Sequence, residues 1–202
     1  MINENNGVFV QGHIKIHNPE SGEIFVNKKN AIHFENMSIA LAESLANAGR
    51  GPIAEMSFGN GGTSIDPTGI ITYLTPNSTG TNAGLYNQTF TKIVDDRSAQ
   101  NLDPNRNKIE TRHVSGTNYT DILVTCLLDY GEPNGQDAFD TATDSDALYV
   151  FDELGLRSAG TDGLGSGRLL THVLFHPVQK SLNRLIQIDY TVRVQSLSGG
   201  NS

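Results

Sequence analysis

The chain has 202 residues and carries 22 acidic against 14 basic side chains, a formal net charge of −8. That balance repels a phosphate backbone at long range and argues against nucleic-acid binding. The length suits one domain, residues 1–202, and the 21 glycines in a chain only 37% hydrophobic indicate many turns and few long helices. Cys126 is the sole cysteine, which excludes an intramolecular disulfide, and its setting in Ile122-Leu-Val-Thr-Cys-Leu-Leu128 reads as a buried, inert thiol. No stretch approaches the apolar length of a membrane-spanning helix, and Met1–Asn6 lacks the basic and apolar regions of a secretory signal. No membrane partner is expected, folding is expected to begin in a cytoplasm, and residues 1–6 read as a flexible arm.

Val8–Ile16 reads as a strand, and Asn18-Pro-Glu-Ser-Gly22 as the turn of a hairpin whose second strand is Glu23–Asn27. Ile32, Met37, Ile39, Leu41, Ala42 and Leu45 then fall at three- and four-residue spacing. This predicts one helix running to about Ala48, capped by Asn36 or Ser38 and ended by Gly49-Arg-Gly-Pro52.

Met56-Ser-Phe-Gly-Asn-Gly-Gly-Thr63 is a short apolar strand running into a glycine-rich turn. Three glycines in four positions allow a sharp reversal, or a close approach to another backbone. A phosphate loop would need a lysine and a helix after the last glycine; Ser64-Ile-Asp-Pro67 follows instead, so the turn reads as architectural. Ile65–Asn87, rich in Pro, Thr, Asn and Gly, reads as a long surface excursion, the kind of segment that carries contacts.

Further strands are predicted at Thr89–Val94, Ile109–Val114, Asp121–Tyr130, Leu148–Leu156, Arg168–Phe175 and Arg184–Gln195, with a glycine-rich loop over Arg157–Gly167 and a flexible tail over 196–202. The last of these strands alternates Ile186, Ile188, Tyr190, Val192 and Val194 with polar residues, which means one buried face. About eight strands and one helix predict a mainly β fold, an antiparallel β-sandwich of jelly-roll type with long loops.

Candidate chemistry is sparse. His172 and His176 stand four apart, but in an extended segment that is about 13 Å, too far for a shared metal. The acidic stretch Gln136–Asp146, with Asp137, Asp140, Asp144 and Asp146, lacks calcium-loop spacing and reads as solvated; whether it takes a cation is left open. His113, Ser115 and Asp121 are triad residue types without a nucleophile elbow. Asp152 and Glu153 are adjacent, so strict strand alternation sends them to opposite faces, one to solvent and one to a local hydrogen bond. Tyr73, Tyr86 and Tyr119 lie near Asn- and Thr-rich loops where aromatic faces could stack on sugar. No catalytic, cofactor-binding or metal-binding residue is assigned.

The ordered set Lys29-Asn-Ala-Ile32, Phe58-Gly-Asn-Gly-Gly-Thr63, Phe151-Asp-Glu-Leu-Gly-Leu156, Leu169-Leu-Thr-His172 with Phe175-His-Pro-Val-Gln-Lys180, and Ile188-Asp-Tyr-Thr-Val-Arg193 resembles virion structural proteins of tailed bacteriophages, especially T4-like phages of marine bacteria. In that group an Ala-Arg pair is usual where Thr171-His172 stands here. The resemblance implies a non-enzymatic component assembling as a homo-oligomer at the neck, tail or baseplate, localised to the virion after assembly in the host cytoplasm. Its implied partners are copies of itself and neighbouring virion proteins. Capsid decoration, or a lectin-like carbohydrate-binding adhesion module with a glycan partner, is the alternative.

Overall fold

The computed structural model describes residues 7–80, 83–133 and 148–197. In chain order the elements are β1 (Gly7–His17), β2 (Ile24–Ile32), α1 (Phe34–Leu45), β3 (Ile53–Gly59), β4 (Thr63–Ile65), β5 (Ile71–Tyr73), β6 (Gln88–Ile93), β7 (Lys108–His113), β8 (Tyr119–Leu128), β9 (Leu148–Ser158), β10 (Thr171–Ser181) and β11 (Ile186–Leu197). Nine strands form one curled sheet in the order β6-β3-β9-β10-β2-β1-β11-β8-β7, and every pairing is antiparallel. β4 and β5 form a separate two-stranded ladder. Among the described residues the fold is thus mainly β with one helix, as the composition implied.

The two halves of the sheet join where β10 meets β2 through only Thr171↔Ile32 and His172↔Ala31. Such a short seam lets the sheet bend sharply, and both halves contribute to one apolar core. Ile14, Ile16, Val124, Cys126, Ile188 and Tyr190 come from the β2-β1-β11-β8-β7 half, and Met56, Phe58, Leu154, Leu156 and Phe175 from the other. An aromatic cluster fills the second half: Phe151 packs edge-on against Phe58 and Phe175, at 5.4 and 5.7 Å between ring centroids, and stacks on Tyr149. Cys126 is fully buried, as expected, and desolvation pushes its thiol up to about 12.

The helix is shorter than its periodicity suggested, and its cap lies elsewhere. His33 is the N-cap, its Nδ1 accepting from the Asn36 amide at 3.2 Å. Asn36 is a buried residue of the first turn, donating from Nδ2 to the Leu169 carbonyl at 2.9 Å. Ser38 lies inside the helix and donates to the Glu35 carbonyl. At the other end Asn47 takes the left-handed conformation, φ 53°. The Ala48 and Asn47 amides bond the Glu43 and Ser44 carbonyls at 2.8 and 3.2 Å, closing the helix before Gly49.

β2 runs five residues past the predicted strand, and β10 continues through His176-Pro177 to Ser181. A proline fits inside β10 because the register with β9 shifts between Leu174 and Val178, leaving residues there outside the regular ladder. β11 takes in Ser196 and Leu197; Ser196 exchanges hydrogen bonds with Asn118 at 2.8 and 2.9 Å. The arm at 1–6, the tail beyond Leu197 and the acidic stretch Gln136–Asp146 lie outside the described residues.

Candidate functional site

The glycine turn between β3 and β4 is densely hydrogen-bonded, and the Asp152-Glu153 pair is its anchor. The expectation that one of these carboxylates faces solvent does not hold: Asp152 is 3% exposed and Glu153 0%. Alternation fails at this point because the β9 register with β10 shifts between Phe151 and Glu153. Both side chains reach the same turn.

Asp152 accepts from the Gly62 amide at 2.9 Å with one oxygen, and from the Thr63 amide at 2.9 Å and the Thr63 hydroxyl with the other. Glu153 accepts from the Gly61 amide at 3.1 Å and the Asn87 amide at 2.8 Å with Oε1, and from the Tyr86 amide at 2.9 Å with Oε2. His172 Nε2 donates to the same Oε2 at 2.9 Å, while its Nδ1 accepts from the Asn77 amide at 2.8 Å. That acceptor role fixes the imidazole as the Nε2–H tautomer. The Tyr86 ring lies 5.7 Å from the imidazole, and its hydroxyl donates to the Thr75 carbonyl at 2.6 Å.

Three successive amides, Gly61 to Thr63, thus converge on anions, the arrangement a phosphate cradle uses. Here the anions are the chain's own carboxylates. None of Gly59, Gly61 and Gly62 has a positive φ, so the glycines are not there for backbone freedom. They are there for space: a Cβ on Gly59 would stand 2.4 Å from the Asn87 carbonyl oxygen and 2.5 Å from Glu153 Oε1, and one on Gly61 would stand 2.8 Å from the Asn87 nitrogen.

The two carboxyls are driven apart electrostatically. Burial raises Asp152 above its ordinary value, and the Thr63 and Gly62 hydrogen bonds do not offset it. Burial pushes Glu153 the same way, but the His172 hydrogen bond and the Asn87 and Tyr86 amides outweigh it, so its carboxyl lies below the ordinary value. A second turn is held similarly: Glu55 accepts from the Gly165 amide at 2.7 Å, and burial raises its carboxyl. Beside it Arg157 donates to the Ser57 hydroxyl and the Gly167 carbonyl.

The other sequence candidates stay apart. His176 is exposed, while His172 is buried and bonded to Glu153 and Asn77, so the two share no ligand. His113 Nδ1 contacts the Tyr119 carbonyl and Thr120 hydroxyl, and Asp121 is clamped by Arg193 at 2.7 and 2.8 Å. Tyr73 and Tyr86 belong to the β4–β5 side of the molecule, and Tyr119 opens β8, so the three rings form no common platform. No group of three or more metal-ligating side chains occurs among the described residues. No described helix is long and apolar enough to cross a membrane.

Sequence reasoning missed the joint role of Asp152 and Glu153. The available signal was the turn itself: a glycine-rich turn packed under other chain segments has amides that must find acceptors, and an acidic pair within an apolar strand supplies them. No protein-family model, curated protein or solved structure matches the chain.

Proposed function

We propose that the chain is a non-enzymatic structural protein that works by oligomeric assembly, as a component of the neck, tail or baseplate of a tailed-phage virion. The observation that carries this reading is a rigidly mounted apolar arm. β4 and β5 stand on the carboxylate-held turn, with the Leu74 amide bonded back to the Gly62 carbonyl at 3.0 Å. They present Ile65, Ile70 and Tyr73 at 64%, 62% and 48% exposure, with Leu74 beside them. Apolar side chains grouped on an anchored hairpin suit burial against a neighbouring subunit, and mounting them in advance lowers the ordering cost of association.

The segments that carry the phage resemblance add support, because they meet in space. Phe58–Thr63, Phe151–Leu156 and His172 are far apart in the chain, yet they form one hydrogen-bonded cluster at the base of the arm. The same proposal treats the curled sheet as a sandwich of jelly-roll type, its two halves pressed together around the aromatic cluster. The carboxylates and imidazole of the cluster hold backbone groups and one another, which is structural work.

Light scattering on the full chain is the direct test. An oligomer is expected that dissociates in the Ile65→Ser/Ile70→Ser variant while its circular dichroism is kept. Mass spectrometry of purified particles should find the chain in the virion. A monomer at all concentrations that is also absent from particles would overturn the reading.

A further inference from the structure

A second surface, which meets the arm at Lys29 beside Tyr73 and Leu74, has the make-up of a ligand site. On the outer face of the β2-β1-β11-β8-β7 half lies a groove of about 500 Å³, lined by Gln11, His13, Lys29, Arg112, Thr191 and Arg193 among others. The register puts these side chains on one face: Arg112 and Arg193 both pair with Asp121, Gln11 pairs with Arg193, and His13 with Thr191 and Lys29.

In a chain of net charge −8 this groove gathers three cations against one carboxylate. That carboxylate, Asp121, is spent on Arg193, which grips both its oxygens and lies 3.8 Å from the centroid of the Tyr119 ring. Further along the face Glu110 is paired with Lys108 and Asp189 with His17. Lys29 and Arg112 make no side-chain hydrogen bond or ion pair among the described residues, and Arg112 adds its charge to that of Arg193 beside Asp121. They stand on strands four steps apart, about 19 Å across the sheet. Between them lie the hydrogen-bonding groups of Gln11, His13 and Thr191 and the Arg193–Asp121 pair, with Val114 as apolar surface.

We infer that this groove binds an acidic oligosaccharide, an extended chain bearing carboxylates at intervals and hydroxyls between them. Lys29 and Arg112 take the carboxylates, and Gln11, Thr191 and His13 take the hydroxyls. The overall negative charge disfavours a long polyanion approaching from a distance, so the site suits a ligand whose charge is sparse and whose remaining polarity is neutral. The inference needs no oligomer, and Arg112, unlike Lys29, does not border Tyr73 and Leu74 of the arm, so Arg112→Gln tests it apart from the assembly reading.

The test uses the full chain and four probes: a tetramer of galacturonic acid, its uncharged galactose counterpart, an oligoglutamate peptide and an oligothymidylate of similar length. Titration followed by amide shifts in nuclear magnetic resonance should show saturable binding of the uronate, with shifts on β1, β11 and β8. Affinity should fall about tenfold in each of Lys29→Gln and Arg112→Gln, and weaken with added salt. Arg50→Gln, an exposed change outside the groove, should leave it unaltered. No binding of the uronate, binding indifferent to Lys29 and Arg112, or equal binding of the galactose tetramer, the peptide or the oligothymidylate would each overturn the assignment.

Discussion

Glu153 shows how one side chain can hold together segments distant in sequence. It accepts from the Gly61, Tyr86 and Asn87 amides and from His172, so its two oxygens join the turn after β3, the approach to β6 and the start of β10. In Glu153→Gln the amide nitrogen cannot accept, and one pair of these donors is left buried and unpaired. A loss of about 1–3 kcal/mol is expected in urea unfolding at neutral pH. The pH dependence follows from the direction of each shift. The folded-state value of Glu153 lies below its ordinary 4.5, so its contribution is complete above about that pH and is lost as pH falls further through the folded value. Asp152 has the opposite sign: its folded-state value lies above the ordinary 3.8, the native state holds the proton more tightly, and its contribution to stability grows as pH falls. Unfolding followed from pH 5.5 to 3 should therefore show a flatter acid slope in Glu153→Gln and a steeper one in Asp152→Asn than in the parent chain.

At the scale of elements, strands with one buried face were legible, because period-two alternation reports directly on such a strand. β11 is the clear case, with Ile186, Ile188, Tyr190 and Val192 buried as read. β9 was legible as a strand but not in its facing, since it is buried on both sides: Leu154 and Leu156 lie in the core, while Glu153 and Arg157 are covered by the loops they hold. The helix end was misplaced because Asn47 takes the left-handed conformation two residues ahead of Gly49, which is itself left-handed as the pattern suggested. The glycine turn was legible as a turn and as a place of close approach, whereas its acceptors, about 90 residues further on, were not. Gly59→Ala tests the close approach. The new methyl meets a backbone carbonyl that cannot yield without moving Asn87, so a loss of about 1–3 kcal/mol is expected in the same urea assay, with the arm loosened at its base. Faster hydrogen exchange at the Gly62 and Thr63 amides would be the local sign of that loosening.

Taken as a whole molecule, the chain joins two half-sheets by a two-pair seam and seals their common core with residues from both. Cys126 sits within that core on β8, paired with Ile188 of β11, so it reports on the integrity of the whole. With its thiol pushed up to about 12 by burial, the thiolate is scarcely populated in the native state at neutral pH. Modification by a soluble disulfide reagent then requires an opening that exposes the centre of the sheet. If the halves open only together, labelling should be slow without denaturant, and its rate should rise with urea along the slope of global unfolding measured by circular dichroism. If the halves open separately, Cys126 should label with a shallower urea dependence than the global slope, because a partial opening exposes less surface. Coincidence of the two slopes is the expected outcome. The core residues of the two halves form a single contiguous cluster, so parting the halves at the seam exposes apolar surface on both, and neither keeps a closed core of its own.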